Sequence, residues 1–242
     1  LTRLLPRTVD VLVGLFGAEE SRARQAPEGS NKTPRRWSPR NMIDLVVEVE
    51  GVRQVITFTQ ENFVGVTADG GQLLWRRPYT TPSTTTSQTP RLYDGDVIES
   101  GRGNGITRFR VVREGNAWTT EDVWHADEVS LHMTNGVVVD DVLFGLSHLN
   151  SGQYFGLDLD NGEVLWTSEP RQADNAAILN VGTTILSLED DAEMVVVSHS
   201  RTGFEPVRRY EVADSSTWTL PTLSGNRMFV KDVDSLTLWT VD

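Results

Sequence analysis

From Ile43 onward, apolar and polar residues alternate, or apolar residues run in fours to sevens bounded by Gly, Asp and Asn. A period of two predicts half-buried β-strands. The clearest are Leu45–Val49, Val55–Thr59, Phe63–Thr67, Val137–Val139, Val142–Leu146, Tyr154–Leu157 and Val164–Thr167. Between strands stand the pairs Asp94-Gly95, Asn135-Gly136, Asn161-Gly162 and Gly225-Asn226. Such pairs accept positive φ at little cost and close tight hairpins. No helical period persists beyond residue 20, so this part reads as an all-β chain of antiparallel hairpins. Upstream, Val9 to Phe16 is a short apolar stretch that predicts a helix over 8–17. Glu19 to Arg40 has too few apolar residues to offset its ordering entropy and reads as loop or disorder.

Within the hairpins one unit recurs. Gly65 to Trp75 (GVTADGGQLLW) aligns without gaps on Gly156 to Trp166 (GLDLDNGEVLW). The two tryptophans are 91 residues apart, two units of about 45, the length of a four-stranded propeller blade. Trp124 falls near the midpoint, and Tyr210 follows Trp166 by 44 residues in the equivalent place. The repeat divides the chain into an irregular segment, 1–40, and a propeller region, 41–242. Blades are expected at about 43–77, 88–126, 134–168, 175–213 and 217–242. The last has three evident strands, Trp218–Leu223, Arg227–Lys231 and Leu236–Val241. A propeller often completes its final blade with a strand from the other terminus, which removes a sheet edge.

The repeated unit resembles the tryptophan-docking motif of the pyrroloquinoline-quinone (PQQ)-like β-propeller family, roughly Ala-x-Asp-x-x-Thr-Gly-x-x-x-Trp. Gly156, Asp158, Asn161, Gly162 and Trp166 occupy its places in one copy. Gly65, Thr67, Gly70, Gly71 and Trp75 do so in the other, with Thr for Asp. The motif glycine closes a hairpin, and the Trp packs its large face between neighbouring blades. Gly65, Gly71, Trp75, Trp124, Gly156, Asp158, Gly162 and Trp166 are therefore the structural repeat residues. The resemblance extends over about 43–242 and includes relatives of the propeller lipoprotein of the outer-membrane β-barrel assembly machinery. It implies a partial propeller of about five four-stranded blades. Because the family closes at seven or eight, two or three more are expected toward the N-terminus, with an open edge near Ile43.

Composition narrows the chemistry. A net charge of −12 repels phosphate backbones, so nucleic acid is not an expected partner. Only the first 40 residues carry a basic excess. No run of 18 apolar residues exists to form a transmembrane helix, and membrane association would require a lipid anchor upstream of Leu1. The chain has no cysteine, which excludes disulfides, thiolate metal sites and cysteine nucleophiles.

True quinoprotein dehydrogenases of this fold would carry a Ca²⁺ site, a catalytic Asp and an adjacent-cysteine disulfide. No Asp here maps onto a catalytic position by a matching local motif. Asp158 to Glu163 looks like a calcium loop, but Leu157 stands where the first ligand should be, so it reads as a hairpin turn. Gly101-Arg102-Gly103-Asn104-Gly105 precedes a strand, Ile106–Val112, where a dinucleotide fingerprint needs a helix. His125, His132, His148 and His199 lack tight ligand spacing; His132 and His148 flank loops of one blade. Thr80–Thr89 reads as a polar linker between blades. Tyr93, Trp118 and Trp218 read as inter-blade core rather than a binding groove. No catalytic, cofactor or metal residue is assigned. The expectation is a monomeric, non-catalytic, periplasmic or otherwise extracytoplasmic scaffold for other proteins. The alternative is a fragment of a PQQ-dependent dehydrogenase using Ca²⁺.

Overall fold

A computed structural model describes residues 2–3, 45–59, 61–82 and 88–241. The helix expected over 8–17, the polar segment from Glu19 to Arg40 and the edge near Ile43 lie outside these residues. So do residues 83–87 of the Thr80–Thr89 linker.

The described residues build twenty strands in five four-stranded antiparallel sheets. Strand β1 is Thr2–Arg3. The first sheet holds β2 (Leu45–Val49), β3 (Val52–Phe58), β4 (Asn62–Thr67) and β5 (Leu73–Pro78). The second holds β6 (Arg91–Tyr93), β7 (Asp96–Ser100), β8 (Ile106–Glu114) and β9 (Ala117–Ala126). The third holds β10 (Val137–Val139), β11 (Val142–Ser147), β12 (Gln153–Asp158) and β13 (Val164–Thr167). The fourth holds β14 (Ala176–Asn180), β15 (Thr184–Glu189), β16 (Glu193–Ser198) and β17 (Glu205–Glu211). The fifth holds β18 (Thr222–Ser224), β19 (Arg227–Lys231) and β20 (Leu236–Thr240). Sheets one to four are meanders in chain order. In the second and fourth, the last strand is the most exposed, as the outer strand of a blade should be.

The fifth sheet is completed by β1, with Thr2 opposite Thr240 and Arg3 opposite Trp239. Its strand count is therefore four rather than three. The pairing hides the edge that β20 would otherwise present. Its first strand is also shorter than expected. The sequence pattern predicts a strand over Trp218–Leu223, yet pairing starts only at Thr222. Pro221 lacks an N–H to give a ladder, and Thr217 is already tied to the fourth sheet.

Four apolar clusters hold the sheets face to face, each joining two consecutive sheets. Ile56, Phe63 and Trp75 meet Val97 and Phe109. Ile98 and Ile106 meet Leu143, Phe155 and Leu157. Phe144, Tyr154 and Trp166 meet Ile178, Ile185 and Val195. Leu188 and Met194 meet Met228, Val230 and Trp239. Among the described residues no such cluster joins the fifth sheet to the first. The architecture is an arc of five blades, a partial β-propeller.

The turn pairs divide into two kinds. Asp94-Gly95, Asn161-Gly162 and Gly225-Asn226 each close a hairpin, and Gly95, Gly162 and Gly225 have positive φ. Asn135-Gly136 closes none. It lies in the connection from β9 to β10, where Asn135 Oδ1 accepts the backbone N–H of Thr89 at 3.0 Å.

Candidate functional site

The repeat motif shapes the seams between sheets. Gly65 lies opposite Trp75 and Gly156 opposite Trp166, each on the third strand of its sheet. Each indole lies flat over its glycine. A Cβ at position 156 would stand 2.5 Å from Trp166 Nε1, and one at position 65 would come closer still. These glycines make room for a ring. The hairpin-closing role belongs to Gly71 and Gly162, whose amides bond back to Thr67 O at 2.9 Å and Asp158 O at 2.8 Å. The side chain two residues past each strand glycine braces the same turn: Asp158 Oδ1 accepts Asp160 N at 2.9 Å, and Thr67 Oγ1 accepts Gln72 N at 3.0 Å. This explains why Thr can replace Asp in the first copy: both offer a short side-chain oxygen to the turn.

The second sheet departs from the motif. Arg108 holds the place opposite Trp124, and the indole leans toward the third sheet instead. Trp124 Nε1 donates to Leu159 O at 3.0 Å, and its ring lies against Gly162. Arg108 is buried. Its Nε donates to Asp96 Oδ2 at 2.7 Å and its Nη1 to Leu159 O at 2.9 Å. Arg110 adds a second donor set to Asp96. Although burial opposes its charge, these guanidinium bonds hold the Asp96 carboxyl below the usual range.

Two buried glutamates lie on the second strands of the second and fourth sheets. Glu99 follows Ile98, and Glu189 follows Leu188; Arg108 and Met194 sit opposite those neighbours' positions. Burial pushes both carboxyls up to about 7. Arg77 Nε donates to Glu99 at 3.0 Å but also serves Asp122. Arg209 approaches Glu189 at 3.5 Å but is claimed more closely by Glu193. The Tyr154 hydroxyl donates to Glu189 at 2.8 Å. Nothing in the spacing of the sequence marked either glutamate.

The histidines sit in separate surroundings. His125 Nδ1 is 2.9 Å from Thr107 Oγ1, and His199 Nδ1 is 3.4 Å from Asp140. His132 and His148 do come together, with ring centroids 5.6 Å apart, and His148 Nδ1 bonds Ser130 O at 2.9 Å. Burial, with Arg102 and His148 nearby, lowers the pKa of His132. Among the described residues no three His, Asp or Glu side chains are grouped to hold a metal. Asp158 to Glu163 is a hairpin turn, and Gly101 to Gly105 joins β7 to β8.

The aromatic residues also separate. Trp118 packs against the first seam and Tyr93 against the second, with the Tyr93 hydroxyl 2.7 Å from Asp160. Trp218 does not join a core: it is 58% exposed, correcting the reading that placed it between blades. It lies in the connection from β17 to β18. Buried Thr217 fixes the base of this loop by donating to Glu189 O at 2.6 Å and Asp190 O at 3.1 Å. Val233, 65% exposed on the β19–β20 turn, joins the same surface through its N–H to Ser215 Oγ at 3.2 Å. Leu220 is exposed as well. The same two loops carry exposed Asp214 and Asp234, while Asp232 is buried and Lys231 Nζ donates to Val233 O at 3.0 Å.

Five antiparallel blades with this docking register define a β-propeller repeat protein of the PQQ-like type. The chain belongs to the family described as outer membrane protein assembly factor BamB, whose model matches residues 40–168. Among solved structures, BamB from Moraxella catarrhalis is similar at 19% identity, covering 81% of this chain and 71% of that one, with a TM-score of 0.46. A computationally designed protein, Ika8, is similar at 10% identity, covering 81% and 70%, with a TM-score of 0.47. The search of curated proteins finds no match.

Proposed function

We propose that this chain is a non-catalytic, extracytoplasmic protein-binding scaffold serving envelope or outer-membrane protein assembly. The observation that carries the reading is the anchored patch of Trp218, Leu220 and Val233 on the loops of the fifth blade. An exposed tryptophan with exposed aliphatics on the same two loops is the chemistry of an interface anchor. Fixed loop bases reduce the ordering cost of binding. Membership in a family named for outer-membrane protein assembly supports the compartment and the role.

A photo-crosslinking residue at position 218, in the envelope fraction of the native host, tests this reading. A discrete adduct that disappears on Leu220→Asp is the expected result. Absence of any adduct would sink the docking surface. Titration with PQQ and Ca²⁺ tests the non-catalytic part: no shift in the thermal midpoint is expected, and a saturable rise would overturn it.

A further inference from the structure

Three loops meet at one end of the second and third sheets: the β7–β8 loop, the β9–β10 connection and the β11–β12 loop. Their junction is Ser130, which is buried. Its N–H donates to Ser147 Oγ at 3.0 Å, and its hydroxyl donates to Gly101 O at 2.8 Å. The Gly103 N–H donates to Ser130 Oγ at 3.1 Å. Buried Leu131, the next residue, donates its N–H to Ser100 Oγ at 3.0 Å. A buried network with its members satisfied holds its backbone in one arrangement.

Two half-buried imidazoles stand on this base, His132 and His148. His148 gives both its backbone N–H, at 3.1 Å, and its Nδ1, at 2.9 Å, to the single carbonyl oxygen of Ser130. A carbonyl only accepts, so Nδ1 carries the proton and Nε2 of the neutral ring keeps the lone pair. The double attachment also fixes the orientation of the ring. Metal-ligating histidines are held in this way, with the second nitrogen donating to a backbone carbonyl.

His132 directly follows Leu131, so the same base fixes its backbone. Its ring centroid is 5.6 Å from that of His148, and the two planes meet at 59°. Zinc–nitrogen bonds of about 2.0–2.1 Å in a tetrahedral site put two imidazole centroids roughly 5.2 Å apart. The observed spacing is within about half an ångström of that value. Arg102 is the charged group nearest His132, and it opposes a cation. It is exposed, so its guanidinium can turn into solvent and weakens the site without closing it.

We propose that His132 and His148 form a binding site for a divalent transition-metal ion of the zinc type, with the remaining positions taken by oxygen ligands. The ion ties the β9–β10 connection to the β11–β12 loop. Two imidazoles are half of a tetrahedral set, so binding is weaker than at a closed site of four protein ligands. The site does not depend on the Trp218 patch being a docking surface.

The test titrates the untagged full chain with Zn²⁺ alone, by calorimetry in a buffer that does not chelate metal. Saturable binding of one ion is expected. His132→Gln and His148→Gln should each weaken it at least about ten-fold. His125→Gln, whose ring bonds Thr107 elsewhere, should leave it unchanged. Arg102→Ala should tighten it, because a nearby positive charge is removed. In the parent chain, Zn²⁺ should shift the ring ¹⁵N resonances of His132 and His148 and leave those of His125 in place. That measurement stands even if a variant fails to fold. Lack of saturable binding, a site indifferent to both histidine variants, unmoved His132 and His148 resonances, or weaker binding in Arg102→Ala would each overturn the proposal.

Discussion

Gly156 and Trp166 face each other across neighbouring strands, and the indole occupies the volume that a side chain at 156 would need. The glycine is required here by the ring above it, since its φ is not positive. Gly156→Ala should destabilise the chain by about 1–3 kcal/mol through overpacking, and Gly65→Ala likewise. Gly203→Ala, with nothing near its added methyl, is the control and should be near neutral. Urea unfolding monitored by tryptophan fluorescence measures all three.

Removing the ring should be worse than crowding it. Trp75 is buried in the first seam and donates from Nε1 to Gln54 Oε1 at 2.8 Å. Trp75→Ala should lose about 3–5 kcal/mol, from lost burial and the cavity left behind. Trp218→Ala should change stability by no more than about 0.5 kcal/mol, because that ring stands in solvent. Paired thermal melts give the contrast.

The Asp96–Arg108 pair is buried, and its removal strands a charge. Asp96→Asn should destabilise by about 3–5 kcal/mol, since Arg108 keeps its place under the second seam without its carboxylate. Exposed Arg110 can turn to water instead. Arg110→Ala should therefore cost far less, and equilibrium unfolding of the two variants distinguishes them.

Stability should fall as pH rises between about 5 and 7. Glu99 and Glu189 hold their protons to about 7 when folded, whereas an unfolded glutamate releases its proton near 4.5. Over that window the folded chain binds more protons than the unfolded chain, so each rise in pH favours unfolding. The stabilisation is full below the unfolded value and gone above the folded one. Glu189→Gln should flatten this dependence and raise the thermal midpoint at pH 8, while the Tyr154 hydroxyl keeps an acceptor. Melts from pH 5 to 8 of the parent and the variant check the sign. Asp96, Asp158 and Asp232, held low by their bonds, act oppositely and only in stronger acid.

The sequence by itself determined the strands and the blade period. Both follow from local alternation and from turn residues whose backbone preferences act within a few positions. It also marked the Gly-to-Trp repeat, because the strand spacing that places Gly opposite Trp is written in the chain. It misassigned Trp218, since an apolar residue near a strand looks the same whether it enters a seam or faces water. That choice was made by Thr217, tied to carbonyls of the preceding sheet, and by Pro221. It gave no sign of Glu99 and Glu189 as buried groups, because burial there depends on a neighbouring sheet closing over them. Tertiary structure alone decided that β1 completes the fifth sheet. That one long-range pairing supplies the outer strand of the fifth sheet from residues more than two hundred positions away, which no local pattern can specify.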